Sequence, residues 1–121
     1  MSVSIEVSIE QGFTASIQQL IEQYPEAVGA ALMRIAERVL NTSNTLVPVR
    51  TGFLKSSMGV RQDNNFQVTF YANAPYAGYV EFGTSRMAAR LFMTLALQQH
   101  REEFPREVES ALVQLRDAYF G

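Results

Sequence analysis

Residues 58–72, MGVRQDNNFQVTFYA, contain two short alternating runs on either side of a polar turn. Apolar side chains stand at positions 58 and 60 in the first run, and at 66, 68 and 70 in the second. A period of two is typical of strands, and Asp63-Asn64-Asn65 provides turn-forming residues between them. The pattern predicts an antiparallel hairpin of residues 57–62 with 66–72. The side chains predicted on its buried face are Val60, Phe66, Val68 and Phe70.

The chain before the hairpin changes its period twice. Residues 2–10 alternate between Val or Ile and Ser or Glu, which predicts a strand with one buried face. From Phe13 onward the apolar residues fall at three- and four-residue steps up to Tyr24, as in an amphipathic helix. Pro25 should end this short helix and open a second one, because proline fits the first helical position. The second helix is predicted to fray at residues 41–44.

The chain after the hairpin is predicted to be mainly helical. Residues 75–82 suit one or two helical turns that Gly83 ends, with Phe92, Leu95 and Ala96 on one face of a later helix. Pro105 predicts a break or kink, and a further apolar stripe follows it at positions 108, 111, 112, 115 and 119. The fold class expected is α+β: a single domain, 1–121, with a small antiparallel sheet and central β-hairpin packed by N-terminal and C-terminal helices.

Composition limits the classes of function. The net charge is −2, there is no cysteine, and no apolar run approaches the ~18 residues that cross a bilayer. Neither a disulfide framework nor membrane partners are expected. This composition does not favour nucleic acid as the main partner, since duplex binding usually requires a basic excess. The central basic residues are the only candidates for it: Arg50, Lys55, Arg61, Arg86 and Arg90.

The residues that could carry catalysis do not form a recognisable motif. His100 is the single histidine and lies in a polar helical run, which predicts a solvated side chain. The acids at 102–103 and 107–109 have arginine neighbours and predict surface ion pairs. The hydroxyls at 56–57 and 84–85 lack a nearby base, and Ser85 is predicted to cap the next helix. We therefore predict no enzyme activity, no catalytic residue, no metal and no cofactor.

Residues 71–92, YANAPYAGYVEFGTSRMAARLF, combine aromatic side chains with two arginines. Tyr76 and Tyr79 are three positions apart, so they share one helical face, whereas Phe82 is predicted to fill the core. Aromatic residues and arginine are enriched in protein–protein contacts. The segment therefore predicts an interface. Its residues are Tyr76, Tyr79, Glu81, Arg86, Met87 and Arg90.

Two motifs in this order resemble a phage family. VPVRTGFLKSS (47–57) and APYAGYVEFGTSRMAARLF (74–92) are similar to the signatures of small neck or minor tail proteins of long-tailed phages, of the tail-completion or head–tail connector type. The resemblance spans about residues 13–118. Arg50 stands where the family often has an acid, and Ala88 and Leu91 stand where prolines are common. The motif residues expected to be structural are Pro48, Thr51, Gly52, Leu54, Ser57, Phe82, Gly83 and Thr84; Thr51 is also expected to cap a short helical turn.

The resemblance implies a structural virion protein of the phage neck or tail, made in the host bacterial cytoplasm. It implies a ring of copies, with six as the family-level expectation, in contact with other neck, head-completion and tail-tube proteins. Such rings use heterologous interfaces, here the aromatic and arginine-bearing segment on one side and an edge strand on the other. The alternative is a phage-encoded accessory protein that binds nucleic acid through the central basic residues.

Overall fold

The computed structural model describes residues 1–9, 13–48 and 52–120. Residues 119 and 120 are described by their backbone alone. Thr51 and Arg50, named above from the sequence, lie outside the described residues. The elements follow the chain as β1 (Val3–Ser8), α1 (Ala15–Gln23), α2 (Pro25–Leu46), α3 (Phe53–Ser56), β2 (Met58–Asn64), β3 (Gln67–Ala72), α4 (Ala77–Phe82), α5 (Phe92–His100) and α6 (Glu103–Phe120). The α+β fold class is confirmed.

The sheet has three antiparallel strands in the order β1-β3-β2. Ile5, Phe70 and Val60 occupy one row across it, with Phe70 in the middle. These alternating residues face the helices, while Ser and Glu side chains of β1 face solvent. The predicted hairpin is confirmed, although β2 runs on to Asn64 through an irregular step after Gln62.

Phe66 departs from the predicted buried face of the hairpin. Its side chain is 38% exposed, whereas Val68 and Phe70 are buried. The carbonyl oxygen of the Asn64 side chain accepts the Phe66 N–H at 2.8 Å, and β3 begins only at Gln67. Phe66 therefore lies in the turn rather than in the strand, and the period of two does not apply to it.

Helix α2 is the centre of the helical layer and packs on the sheet, α5 and α6. Its buried stripe includes Val28, Leu32 and Ile35, and the predicted break at Pro25 is confirmed. The predicted fraying at 41–44 is wrong, because the helix continues to Leu46. Ser43 is fully buried there and its hydroxyl donates to the Phe92 carbonyl at 3.0 Å, which satisfies the buried polar group.

The C-terminal helices meet at Arg101-Glu102 rather than at Pro105. Pro105 lies in the first turn of α6, where its missing N–H leaves no helical hydrogen bond unmade. In α5 the buried residues are Phe92, Met93 and Ala96. The prediction for Leu95 is wrong, since its side chain is 40% exposed. Over the ranges the structure describes, none of the helices has the length and apolarity to cross a bilayer.

Candidate functional site

Helix α4 has the reverse of the usual amphipathic polarity: its large aromatic side chains face solvent. Tyr76, at its N-terminal boundary, Tyr79 and Phe82 are 36%, 53% and 59% exposed. Their three-residue spacing places them along one face. The opposite face is buried and consists of Ala77, Gly78 and Glu81. Phe82 is thus at the surface and not in the core as predicted, because the buried side of this short helix has room only for small residues and one carboxylate.

Glu81 is fully buried and binds the start of α5. Its carboxylate accepts the backbone N–H groups of Met93 at 2.8 Å and Thr94 at 3.0 Å, together with the Thr94 hydroxyl. Leu91 at the N-cap position of α5 provides no side-chain cap. Glu81 therefore caps α5 from a neighbouring helix, and an anion is favourable at a helix N-terminus. Its predicted place in an interface does not fit this burial in the single chain.

A tight turn follows α4 and presents Arg86 to solvent. Gly83 has a φ of 79°, and a Cβ there would meet the Ala89 nitrogen at 2.7 Å. Thr84 and Met87 pair across the turn, with the Thr84 N–H donating to the Met87 carbonyl at 2.8 Å. Ser85 lies in this turn, well before α5, so the predicted cap by Ser85 is wrong.

The loop returns to α4 through its backbone. The Arg90 N–H donates to the Val80 carbonyl at 2.9 Å, and the Leu91 N–H donates to the Glu81 carbonyl at 3.1 Å. The side chains from 84 to 90 remain exposed, including those of Arg86 and Arg90. Neither arginine forms an ion pair with another residue in the described ranges.

The first motif adds a further aromatic residue to this region. Leu54 is buried and anchors α3, while Ser57 donates its hydroxyl proton to the Leu54 carbonyl at 2.7 Å. Phe53 is 54% exposed, and its ring centroid is 6.1 Å from that of Tyr76. The two sequence motifs thus meet in space. We call the exposed set Phe53, Tyr76, Tyr79, Phe82 and Met87 the aromatic surface.

His100 is not a solvated residue as predicted but the centre of a polar cluster. Its Nε2 lies 2.7 Å from the Thr42 hydroxyl, and its Nδ1 contacts the Glu103 carboxylate. Glu103 also accepts from Arg38 at 3.1 Å. The hydrogen bond from His100 is the main reason that the pKa of Glu103 is lowered. The cluster joins α2 to α5 and α6, which sequence spacing alone could not show, since Thr42 is 58 residues away.

The cluster has the hydroxyl–imidazole–carboxylate order of a catalytic triad, but its setting differs from that of a hydrolase. Thr42 lies inside α2, where backbone N–H groups bond within the helix and do not stabilise an oxyanion. Glu103 and Glu107 do form ion pairs, as predicted, but their partners are Arg38 and Arg34 on α2 rather than the neighbouring arginines of their own helix; the Glu107–Arg34 distance is 3.4 Å. Within the described residues, no group of His, Cys, Asp and Glu could hold a metal ion.

The central cations are only partly available to a ligand. Arg61 contacts Asp63 at 2.9 Å, and hydrogen bonds from Thr69 and Arg61 lower the pKa of that carboxyl. Lys55, Arg86 and Arg90 are exposed. Arg86 and Arg90 adjoin the aromatic surface, an arrangement that suits a protein partner with acidic or carbonyl groups.

Comparison with known proteins matches one family model to residues 11–83. Its description is "HK97-gp10_like: Bacteriophage HK97-gp10, putative tail-component". The match includes α1 to α4, and therefore Phe53, Tyr76, Tyr79 and Phe82 of the aromatic surface. No curated protein and no solved structure matches the chain significantly.

Proposed function

Because this chain belongs to the HK97-gp10-like family of bacteriophage tail components, we propose that it is a structural subunit of the virion neck, placed where head and tail join. Several copies form a ring around the tail axis, with six as the family-level expectation. The aromatic surface contacts an adjacent neck, head-completion or tail-tube protein. Phage DNA passes through the ring without specific binding.

The observation that carries this proposal is the reversed polarity of α4. Burying a large aromatic side chain is worth roughly 1.5–3 kcal/mol, yet the fold leaves three of them between 36% and 59% exposed along one helix. Tyrosine and arginine at the centre of a desolvated contact commonly contribute ~2 kcal/mol or more each to binding. The exposed Arg86 and Arg90, on the loop that follows these rings in the chain, favour a partner with acidic groups.

The nucleic-acid alternative has less support from the structure. Arg61 already pairs with Asp63, and the net charge of −2 opposes phosphate binding. We also propose that the chain has no catalytic activity, because the buried Glu81 and the partly buried His100 serve contacts between helices.

A double substitution in the aromatic surface tests the proposed function. Tyr79→Ala with Arg86→Glu should leave the isolated chain folded, since both side chains are exposed. A loss of ~4 kcal/mol in binding corresponds to roughly 1,000-fold weaker incorporation. We expect DNA-filled heads and unattached tails by electron microscopy, and a similar drop in infectious titre.

The matched control is Leu95→Ala with Arg106→Glu, which removes an exposed apolar residue and an exposed cation elsewhere. This control should assemble normally. Normal infectious particles from the Tyr79→Ala, Arg86→Glu variant would refute the contact. A large loss of its melting temperature would instead assign these side chains to folding.

A further inference from the structure

The sheet ends in two strands whose outer edges have no strand partner among the residues that the structure describes. The order β1-β3-β2 leaves β1 at one edge and β2 at the other. Exposed edges are usually protected by proline, lysine or a bulge, because they readily pair with another chain. β1 contains neither proline nor lysine, and the irregular step in β2 comes only after Gln62.

The bonding pattern identifies which peptide groups face outward. Ile9 donates its N–H to the Phe66 carbonyl at 3.0 Å, so by alternation Ile5 and Val7 also bond towards β3. The peptide groups of Ser4 and Glu6 therefore point to the free edge. At the other edge, the Asn73 N–H donates to the Ser57 carbonyl at 3.0 Å, so by the same alternation Gly59 and Arg61 bond towards β3. This leaves the peptide groups of Met58 and Val60 pointing outward.

The free edge of β1 opens onto a groove of about 710 Å³. Five consecutive residues, 5–9, line one side of it, and Phe13, Leu97 and Phe104 contribute to the other side. A strand added beside β1 would direct alternate side chains into this groove. Ile5 and Val7 are only partly buried in the single chain, which is consistent with an unfilled groove.

We propose, as a refinement that rests on the ring function above, that β1 of one copy pairs in parallel with β2 of the next copy. Both strands are antiparallel to β3, so they run in the same direction within one chain. If the sheet continues from one copy to the next with the same face outward, β1 of one copy lies beside β2 of the next, and the two strands are parallel. The two surfaces differ, so the contact is heterologous, the type of contact that builds a ring when the rotation between copies closes.

Charge complementarity selects this pairing over the symmetric ones. Glu6, Thr69 and Arg61 already share one row on the face of the sheet opposite the helices, where Thr69 is covered by its neighbours. The same row continued into the next copy places Glu6 beside Arg61, with their peptide groups in bonding phase for a parallel pair. Arg61 contacts Asp63 of its own chain through Nε, so its terminal guanidinium nitrogens would make the second contact, to Glu6. In the symmetric registers centred on these residues, pairing β1 with β1 would instead place Glu6 opposite Glu6, and pairing β2 with β2 would place Arg61 opposite Arg61. Like charges opposite one another are destabilising.

The inner rows also match across this contact. Val3, Ile5 and Val7 of one copy would lie beside the inward-facing Met58, Val60 and Gln62 of the next, in the register that the sheet already uses. Met58 and Val60 are partly buried hydrophobic residues in the single chain. Their further burial against the groove would add apolar contact on the side away from solvent.

The chain contains no cysteine, so disulfide cross-linking can report this register directly. The test introduces Glu6→Cys and Arg61→Cys together, at two exposed positions, and oxidises purified particles. The variant is produced alongside the wild-type chain, so that particles assemble even where the variant contact is weaker. Adjacent strands lie about 4.8 Å apart, within the Cα range of a disulfide. We expect a ladder of covalent oligomers on a non-reducing gel.

Chains with only one of the two cysteines should stay monomeric, and Glu6→Cys with Glu37→Cys is the matched control in which no ladder is expected. Dimers from Glu6→Cys alone would overturn the heterologous pairing in favour of a symmetric one. Incorporation without a 6–61 cross-link would overturn the edge contact while leaving the virion role intact. Absence of even the wild-type chain from particles would refute the proposed function itself, and this inference with it.

Discussion

Glu81 holds α4 against α5 through a carboxylate that solvent does not reach. It bonds two backbone N–H groups and one hydroxyl, so several donors depend on a single side chain. A helix of six residues has little stability of its own. The orientation of the aromatic surface therefore depends on a residue that does not belong to that surface.

Glu81→Ala is expected to lower the free energy of unfolding by roughly 2–4 kcal/mol, because it removes charge-assisted hydrogen bonds and leaves the buried Met93 N–H unpaired. Glu81→Gln should cost less, since the amide oxygen can still accept one bond. Glu37→Ala, an exposed change on α2, should stay within ~0.5 kcal/mol. Urea titration at neutral pH measures all three, and equal stability of wild type and Glu81→Ala would contradict the capping role.

Glu103 provides a pH-dependent contribution to stability. Its pKa is lowered from the usual 4.5, chiefly by the hydrogen bond from His100. A carboxyl with a lowered folded-state pKa stabilises the fold above its unfolded-state pKa, and that contribution is lost as the pH falls through the folded-state value. The contribution of Glu103 to the stability of the fold is therefore lost in the pH range below 4.5.

His100→Ala should raise the pKa of Glu103 towards its ordinary value and reduce the loss of stability below pH 4.5. Carbon NMR of the Glu103 carboxyl, followed during an acid titration, measures the shift. Arg38→Ala is a comparison variant with a smaller expected effect, since the His100 contribution is the larger one. An unchanged titration in His100→Ala would show that the contact does not form in solution.

At the scale of elements, the spacing of hydrophobic residues along the sequence predicted the order of helices and strands well. It placed the hairpin and the break at Pro25, because these depend on neighbours in sequence. It failed for Phe66, Phe82 and His100, whose surroundings depend on residues distant in the chain or on a turn boundary. Ser43 illustrates the same limit: a polar residue predicted to end a helix is instead paired inside the core.

The hairpin offers a direct comparison of two phenylalanines four residues apart. Phe70→Ala should lower the free energy of unfolding by ~3–5 kcal/mol, because its ring is buried at the centre of the sheet. Phe66→Ala should cost less than half as much, since 38% of its side chain is already exposed in the turn. Denaturant titration of both variants tests the assignment. Similar losses would mean that Phe66 packs in the core.

For the whole molecule, the distribution of charge is more informative than its total. Five of the ten Lys and Arg residues but only two of the twelve acids lie between positions 49 and 92. One of those two acids, Glu81, is buried. The segment that carries the aromatic surface is thus cationic on a chain with a net negative charge. This distribution of charge could be predicted from the sequence. The free edges of the sheet, and the row that Glu6 and Arg61 share, could be identified only from the order of the strands.

In α4 one face holds the helix in place and the other face is exposed, and this separation affects how the sequence can diverge. The inward residues, Ala77, Gly78 and Glu81, secure the helix, while the outward rings add little to that task. Substitutions on the outward side can therefore accumulate, or be exchanged in the laboratory, without eroding folding. With the aromatic surface as the proposed contact, recognition is expected to evolve separately from stability, and a handful of surface changes should direct the same scaffold to a different partner.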